Sequence, residues 1–252
     1  MNCGRYQILR RLGSGGSGNV FLAQDNIGKK LRVIKVINNR MHDIETEILL
    51  NAENQGIPAV YDFFYENSRK HIVMEYMEGH TLQQELESGR KFTAFEVLSA
   101  VYETAAVLKY LHNMKNPVIY SDMKPANVII RPSGRIAVVD FGAAFVRENR
   151  TDGTEMFGKY NSCGIYGTKG FAAPEQYKGW ADERSDVYAL GCTMDAMADN
   201  MGSHAVSDIK RVVRKSTFDR PEERYRNMDE MMDAILIPYK IRHAFRDIKF
   251  ML

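Results

Sequence analysis

Cysteine is nearly missing from this sequence. Cys3, Cys163 and Cys192 are the only three in 252 residues, an odd number, widely spaced and without a Cys-x-x-Cys pair. That argues against a disulfide framework or a zinc site and fits a reducing compartment, here the cytoplasm. Long apolar runs are missing too. Residues 1–20 hold no apolar signal-peptide core, and no run approaches the roughly 20 residues of a membrane-spanning helix. Neither secretion nor a membrane span is therefore expected. Excess charge is also absent. Lys and Arg number 34 against 32 Asp and Glu, a net charge of +2 that gives no ground for a nucleic-acid partner. No internal repeat and no low-complexity linker divides the chain. With 44% hydrophobic and 26% charged residues it can bury a sizeable core, as one large domain or as two lobes.

The chemistry gathers in Tyr120 to Val128, Tyr-Ser-Asp-Met-Lys-Pro-Ala-Asn-Val. This stretch lies between two apolar runs, Pro117-Val118-Ile119 and Val128-Ile129-Ile130, and is followed by Val138-Val139-Asp140-Phe141-Gly142. The pattern reads as a turn and hairpin that present two carboxylates, an ammonium and an amide to one spot. Asp122 can accept a proton and Lys124 can neutralise a phosphate. Asn127 and Asp140 offer oxygens to a hard cation such as Mg²⁺.

Asp-x-Lys-x-x-Asn followed by Asp-Phe-Gly resembles the protein Ser/Thr kinase family. Gly13-Ser14-Gly15-Gly16-Ser17-Gly18-Asn19 joins two short strand-like runs, Tyr6 to Leu12 and Val20 to Ala23. Gly13, Gly15 and Gly18 let backbone approach a phosphate. Such a run by itself could equally be a plain glycine-rich hairpin. In the family pattern Val20 lies over the adenine. Lys35, in the strand Leu31 to Ile37, falls where the family lysine meets the nucleotide's phosphates; outside that context it would be a solvent-facing strand residue. A helix over roughly 43–52 offers Glu45 or Glu47 as its partner. Glu45 is preferred because Ile48 and Leu49 share its helix face. Met74 to Gly79 resembles the hinge that reads adenine through backbone groups, carried over as the Glu75 carbonyl and the Met77 amide, with Met74 behind the ring.

Further along, Thr93 with Glu96 forms a capping box. Val97, Val101, Thr104, Leu108 and Leu111 then recur at helical spacing as a core face without chemistry. His112, at its end, reads as a helix-end or core group and not as a ligand. Residues 142–166 read as an activation segment, with Thr151, Thr154 and Ser162 as its hydroxyls. Gly167 to Glu175 resembles the family's peptide-receiving segment. Thr168 beside Lys124 resembles the serine/threonine-specific arrangement. Asp186 matches the aspartate that anchors the catalytic loop, although a simple N-terminal helix carboxylate would look the same. Arg224 matches the partner of Glu175.

The resemblance runs from about Tyr6 to Ile235, and its wording is similar to the eukaryotic-like kinases of bacteria. Many of those carry a membrane span and outer sensor domains, neither of which is expected in this chain. It implies an α+β, two-lobed fold over residues 1–252: a β-rich N-lobe to residue 76, a mainly helical C-lobe over 77–238 and a basic amphipathic tail over 239–252. The tail is expected to dock on the C-lobe, with a partner or membrane surface as the alternative. The implied ligands are ATP and Mg²⁺, and the implied partners are proteins with Ser or Thr hydroxyls, this chain's own included. A small-molecule kinase of the same fold and a non-catalytic scaffold are the rivals. Lys124 and Ala-Pro-Glu speak against the first. Retention of Lys35, Asp122 and Asp140 speaks against the second. Two departures stand out. The chain is short between Gly191 and Ser207, where the family has a substrate-side helix. Tyr120-Ser121 stands where the family usually has His-Arg, so no arginine precedes Asp122 to receive a phosphate; activity without loop phosphorylation is expected, with Arg147, Arg150 or Lys169 the next candidates for a phosphate receiver if it fails.

Overall fold

β-Branched residues at a period of two build the first third of the chain into a sheet. A computed structural model describes residues 2–3, 5–16, 18–37, 44–147, 167–201 and 206–236. Its six-stranded sheet runs in the order β1-β2-β3-β4-β6-β5. The strands are β1 (Asn2–Cys3), β2 (Tyr6–Gly15), β3 (Gly18–Asp25), β4 (Leu31–Ile37), β5 (Val60–Glu66) and β6 (Arg69–Glu75), and all neighbours are antiparallel. The strands expected over Tyr6–Leu12 and Val20–Ala23 were too short. The ladder continues through the glycines to the pair Gly15↔Gly18, because the partner backbone holds residues of poor strand propensity.

Alternation along β4 sorts its residues. Ile34 and Val36 join Tyr6, Ala23 and Val73 in a small core on one face. Val33, Ile37, Ile72 and Met74 belong to the main core on the other. Lys35 lies between Val33 and Ile37 on that second face, paired with Val20 on one side and Ile72 on the other. Helix α1 (Ile44–Asn51) buries Glu45, Ile48 and Leu49 and exposes Glu47.

The rest is mainly helical. The sheet half and helical half together give an α+β, two-lobed fold. β7 (His80–Thr81) leads into α2 (Leu82–Glu87), and α3 (Ala94–His112) opens with the reciprocal Thr93–Glu96 cap. The α3 positions Val97, Val101, Thr104, Leu108 and Leu111 are all buried. α4 (Glu183–Asp199) starts at a second such cap, Asp182–Ser185, and packs on α3 and on α5 (Val206–Ser216). A last helical stretch, α6, spans 228–236. Only residues 200–205 separate α4 from α5, and no helix lies between them among the described residues.

Short strands frame the chemistry. β8 (Val118–Ile119) pairs with β11 (Phe145–Val146), and β9 (Val128–Ile130) with β10 (Ile136–Val138). The loops 120–127 and 139–144 are thus held at both ends. Val139 N donates to Asn127 O at 3.0 Å, which closes the hairpin beside them.

A buried ion pair ties this region to the base of the helical half. Arg224 Nη1 and Nη2 donate to Glu175 Oε1 and Oε2 at 2.7 and 2.8 Å, and Ser185 Oγ donates to Oε1 at 2.7 Å. Burial pushes the Glu175 carboxyl up, but the bonds from Arg224 and Ser185 outweigh it and leave the carboxyl below its ordinary range. A depressed folded pKa means stability that is present above the unfolded value and is lost as pH falls through the folded one. Glu175→Gln should therefore cost about 3–5 kcal/mol at neutral pH, since it leaves a buried guanidinium uncompensated. Denaturant unfolding against pH should show the gap between wild type and variant shrinking toward acid. A gap constant with pH would refute the electrostatic account.

Candidate active site

Three carboxylates and two ammonium groups lie where the sheet faces the loops, in two groups. Lys35 Nζ donates to Glu45 Oε1 and Oε2 at 2.6 and 2.7 Å and to Asp140 Oδ1 at 2.7 Å. Its side chain is buried, whereas that of Asp140 is 38% exposed. Burial opposes the Lys35 charge, but Glu45 and Asp140 outweigh it and raise its pKa above the ordinary value. Glu45, and not Glu47, is thus the glutamate against Lys35. Glu45 Oε1 also accepts from Phe141 N at 3.2 Å, so α1, β4 and the Asp140 loop share one carboxylate.

The second group is a closed ring. Lys124 Nζ donates to Asp122 Oδ2 and to Thr168 Oγ1, both at 2.6 Å, and Thr168 Oγ1 donates to Asp122 Oδ1 at 2.7 Å. Asn127 Nδ2 donates to Asp122 O at 2.9 Å, which turns its Oδ1 the other way. Asn127 Oδ1 and the Asp140 carboxylate are hard oxygen donors, and one or two such groups completed by phosphates and water are what Mg²⁺ takes. The residues present fit that ion. No group of three or more metal-binding side chains occurs among the described residues.

The loop backbone is strained at two positions in this site. Ser121 and Asp140 have φ of 72° and 62°, in the left-handed region. Asp186 holds the first: its Oδ1 accepts from Ser121 N at 2.7 Å and its Oδ2 from Tyr120 N at 2.9 Å. His112 Nε2 lies 2.8 Å from Asp186 Oδ2, which places this histidine in the anchor and not on a ligand. The Tyr120 ring meets Phe141 edge-on at 5.3 Å. Its hydroxyl lies 2.5 Å from Val139 O and 3.0 Å from Asp140 O, holding the second strained residue.

Around the cleft, Gly18 has φ +137°, and a Cβ there would come within 2.4 Å of Val36 O, so only glycine fits. A Cβ at Gly13 or Gly15 would meet nothing within 4 Å, so the tip of the hairpin borders open space. Val20 pairs with Lys35 across the ladder. Glu75 ends β6, and Met74 and Met77 are buried beside it. Ser17, Thr151, Thr154, Ser162, Arg150 and the tail 239–252 lie outside the described residues. Arg147 donates to Glu183 Oε1 at 2.7 Å.

Gln176 is a buried member of this site that sequence reasoning missed. Its Nε2 donates to Ser121 O at 2.8 Å and lies 3.2 Å from Ser121 Oγ, and its Oε1 accepts from Ala173 N at 2.8 Å. The only sequence signal was its place directly after Ala-Pro-Glu.

Comparison with known proteins adds the family. Residues 6–237 match the family model described as the protein kinase domain. The chain is 32% identical to Serine/threonine-protein kinase D of Synechocystis, over 92% of this chain and 52% of that protein. It is 28% identical to Serine/threonine-protein kinase PrkC of Bacillus subtilis, over 90% of this chain and 39% of that protein. Serine/threonine-protein kinase B of Synechocystis is 29% identical over 93% and 47%. The chain thus spans about half or less of the length of these relatives. No helix among the described residues is long and apolar enough to cross a membrane.

Proposed function

The chain belongs to the protein kinase family, and from that premise we propose that it transfers the γ-phosphoryl group of ATP to Ser or Thr hydroxyls of proteins. The observation that carries this reading is the ring of Asp122, Lys124 and Thr168, set beside the Lys35–Glu45–Asp140 cluster. One half suits a nucleotide's phosphates and the other a hydroxyl acceptor.

In the reaction the bond to the β-phosphate oxygen breaks, the bond to the hydroxyl oxygen forms, ADP leaves, and Asp122 takes the hydroxyl proton. The transition state is loose, so positioning and charge compensation dominate. Lys35, fixed by Glu45, orients the α- and β-phosphates. Gly13, Gly15 and Gly18 let the hairpin cover them, and Val20 lies over the adenine. The Glu75 carbonyl and Met77 amide read the adenine edge. Lys124 steadies the γ-phosphate while Thr168 keeps Asp122 turned toward the hydroxyl. When bound, Mg²⁺ would neutralise phosphate charge from Asn127 Oδ1 and the Asp140 carboxylate.

Residues 1–76 and 77–238 would form the two lobes flanking ATP. Cysteine usage favours the cytoplasm as its compartment. The short 200–205 connection favours a second reading, a small-molecule kinase of the same fold. Incubation with labelled ATP, Mg²⁺ and a generic basic protein decides between them. Phosphoserine and phosphothreonine on protein are expected, and label only on small acceptors would favour the rival.

A further expectation concerns control. Ser121 offers no positive charge for a phosphate on residues 142–166, and Arg147 is held by Glu183. Protein stripped by a phosphatase should therefore phosphorylate an external substrate without a lag. A lag abolished by preincubation with ATP would defeat this expectation.

A further inference from the structure

The peptide that leads into Asp122 is gripped from two sides, and only one of them has been given a role so far. Asp186 holds the Ser121 amide. The carbonyl of the same strained residue is held by Gln176, whose side chain is fully buried. The orientation of this carboxamide is fixed by its partners. Ala173 N must donate, so the oxygen faces Ala173 and the NH₂ faces Ser121. We propose that Gln176 is a positioning residue for Asp122, a neutral latch that fastens the catalytic loop to the segment carrying Thr168. This rests on the reading of Asp122 as the proton acceptor.

The geometry closes a loop of contacts. Thr168 O accepts from Phe171 N and Ala172 N, both at 2.9 Å, so Ala173 directly follows the tight turn that Thr168 opens. From that turn Thr168 reaches the Asp122 carboxylate, and through Gln176 Ala173 reaches the Ser121 carbonyl. Asp122 is thereby fixed at both its side chain and its preceding peptide by the same ten-residue stretch, 167–176. Gly167 makes room for it: a Cβ there would lie 2.7 Å from Ala172 Cβ and 3.1 Å from Gln176 Nε2. The bond at position 121 is uncharged on both sides. It orders the loop without waiting for a phosphate, and its order follows that of the segment 167–176.

Two variants test the latch. Gln176→Met keeps the volume and removes both the donor and the acceptor. Its kcat should fall about tenfold or more while KM for ATP holds. Gln176→Glu keeps the acceptor for Ala173 N but sets a carboxylate oxygen against Ser121 O. Its kcat should be lower still at neutral pH. It should recover relative to wild type as pH falls, because a protonated glutamic acid regains a donor. The charged groups around this position are Asp186, on the far side of the Ser121 peptide, Asp122, and Glu175, held by Arg224. All three are present in wild type, so the variant-to-wild-type ratio removes their own titration. Should Gln176→Met fail to fold, the pH-dependent ratio for Gln176→Glu decides alone. A flat ratio, or wild-type kcat in folded Gln176→Met, would overturn the latch. Asp122→Asn, run beside them, separates the two failures: if it is inactive while the Gln176 variants are normal, only the latch is wrong, and if it is active, the base assignment is wrong.

Discussion

Asp122→Asn should bind Mg²⁺-ATP like wild type and lose turnover by about 10²–10⁴-fold, the usual worth of a positioned base. The reason is local. Asp122 contacts Lys124, Thr168 and Asn127, but is not itself read as a phosphate or metal contact, and Lys35 and Asp140 form a separate cluster. An asparagine keeps the shape and one acceptor but cannot take the hydroxyl proton. Asp140→Asn should behave differently, weakening Mg²⁺-ATP because a metal carboxylate is lost. Nucleotide titration and single-turnover rates measure the two effects separately. Near wild-type turnover in Asp122→Asn would remove it as the base, and unchanged Mg²⁺-ATP affinity in Asp140→Asn would remove the metal role.

Asp186→Ala should damage both fold and chemistry. The carboxylate is fully buried and accepts from Tyr120 N and Ser121 N, with His112 Nε2 on the same oxygen as Tyr120 N. Alanine leaves these groups buried without an acceptor, at roughly 1–3 kcal/mol for each orphaned donor. It also removes the restraint on the left-handed Ser121, which then relaxes and carries Asp122 out of place. A fall in Tm is expected together with a kcat loss in the protein that remains folded. Asp186→Asn, which keeps an oxygen for one of the two amides, should lie between. A folded Asp186→Ala with wild-type kcat would show that the anchor serves packing alone.

These two predictions rest on residues whose places were legible from sequence for different reasons. Lys35 was legible through its spacing from the glycine hairpin in the family pattern, since a lysine in Leu31–Ile37 would by itself read as a solvent-facing strand residue. Glu45 was separable from Glu47 because Ile48 and Leu49 define the buried side of α1. Asp186 and Arg224 stood in recognisable wording. Gln176 was not legible, because its shortest bonds run to backbone atoms of residues 3 and 55 positions away, and backbone atoms leave no trace in residue identity. The same reason hid the bonds of the Tyr120 phenol to two carbonyls. The full extent of β2 and β3 was hidden for the opposite reason: their glycines signal a turn, while pairing across the hairpin holds them as strand.

The separation of the two apolar clusters bears on how the molecule opens. The main cluster reaches from Ile72 and Met74 in the sheet through Phe141 and Leu108 to Met231 near the chain's far end. Elements joined by it share one cooperative unit. The small cluster of Tyr6, Ala23, Ile34, Val36 and Val73 lies on the opposite face of the sheet, and among the described residues Ile8, Phe21 and Phe64 pack against it. Strands β1 to β3, which hold the glycine hairpin at their end, should therefore open as a sub-global unit, and hydrogen exchange should show their amides exchanging before those of α3.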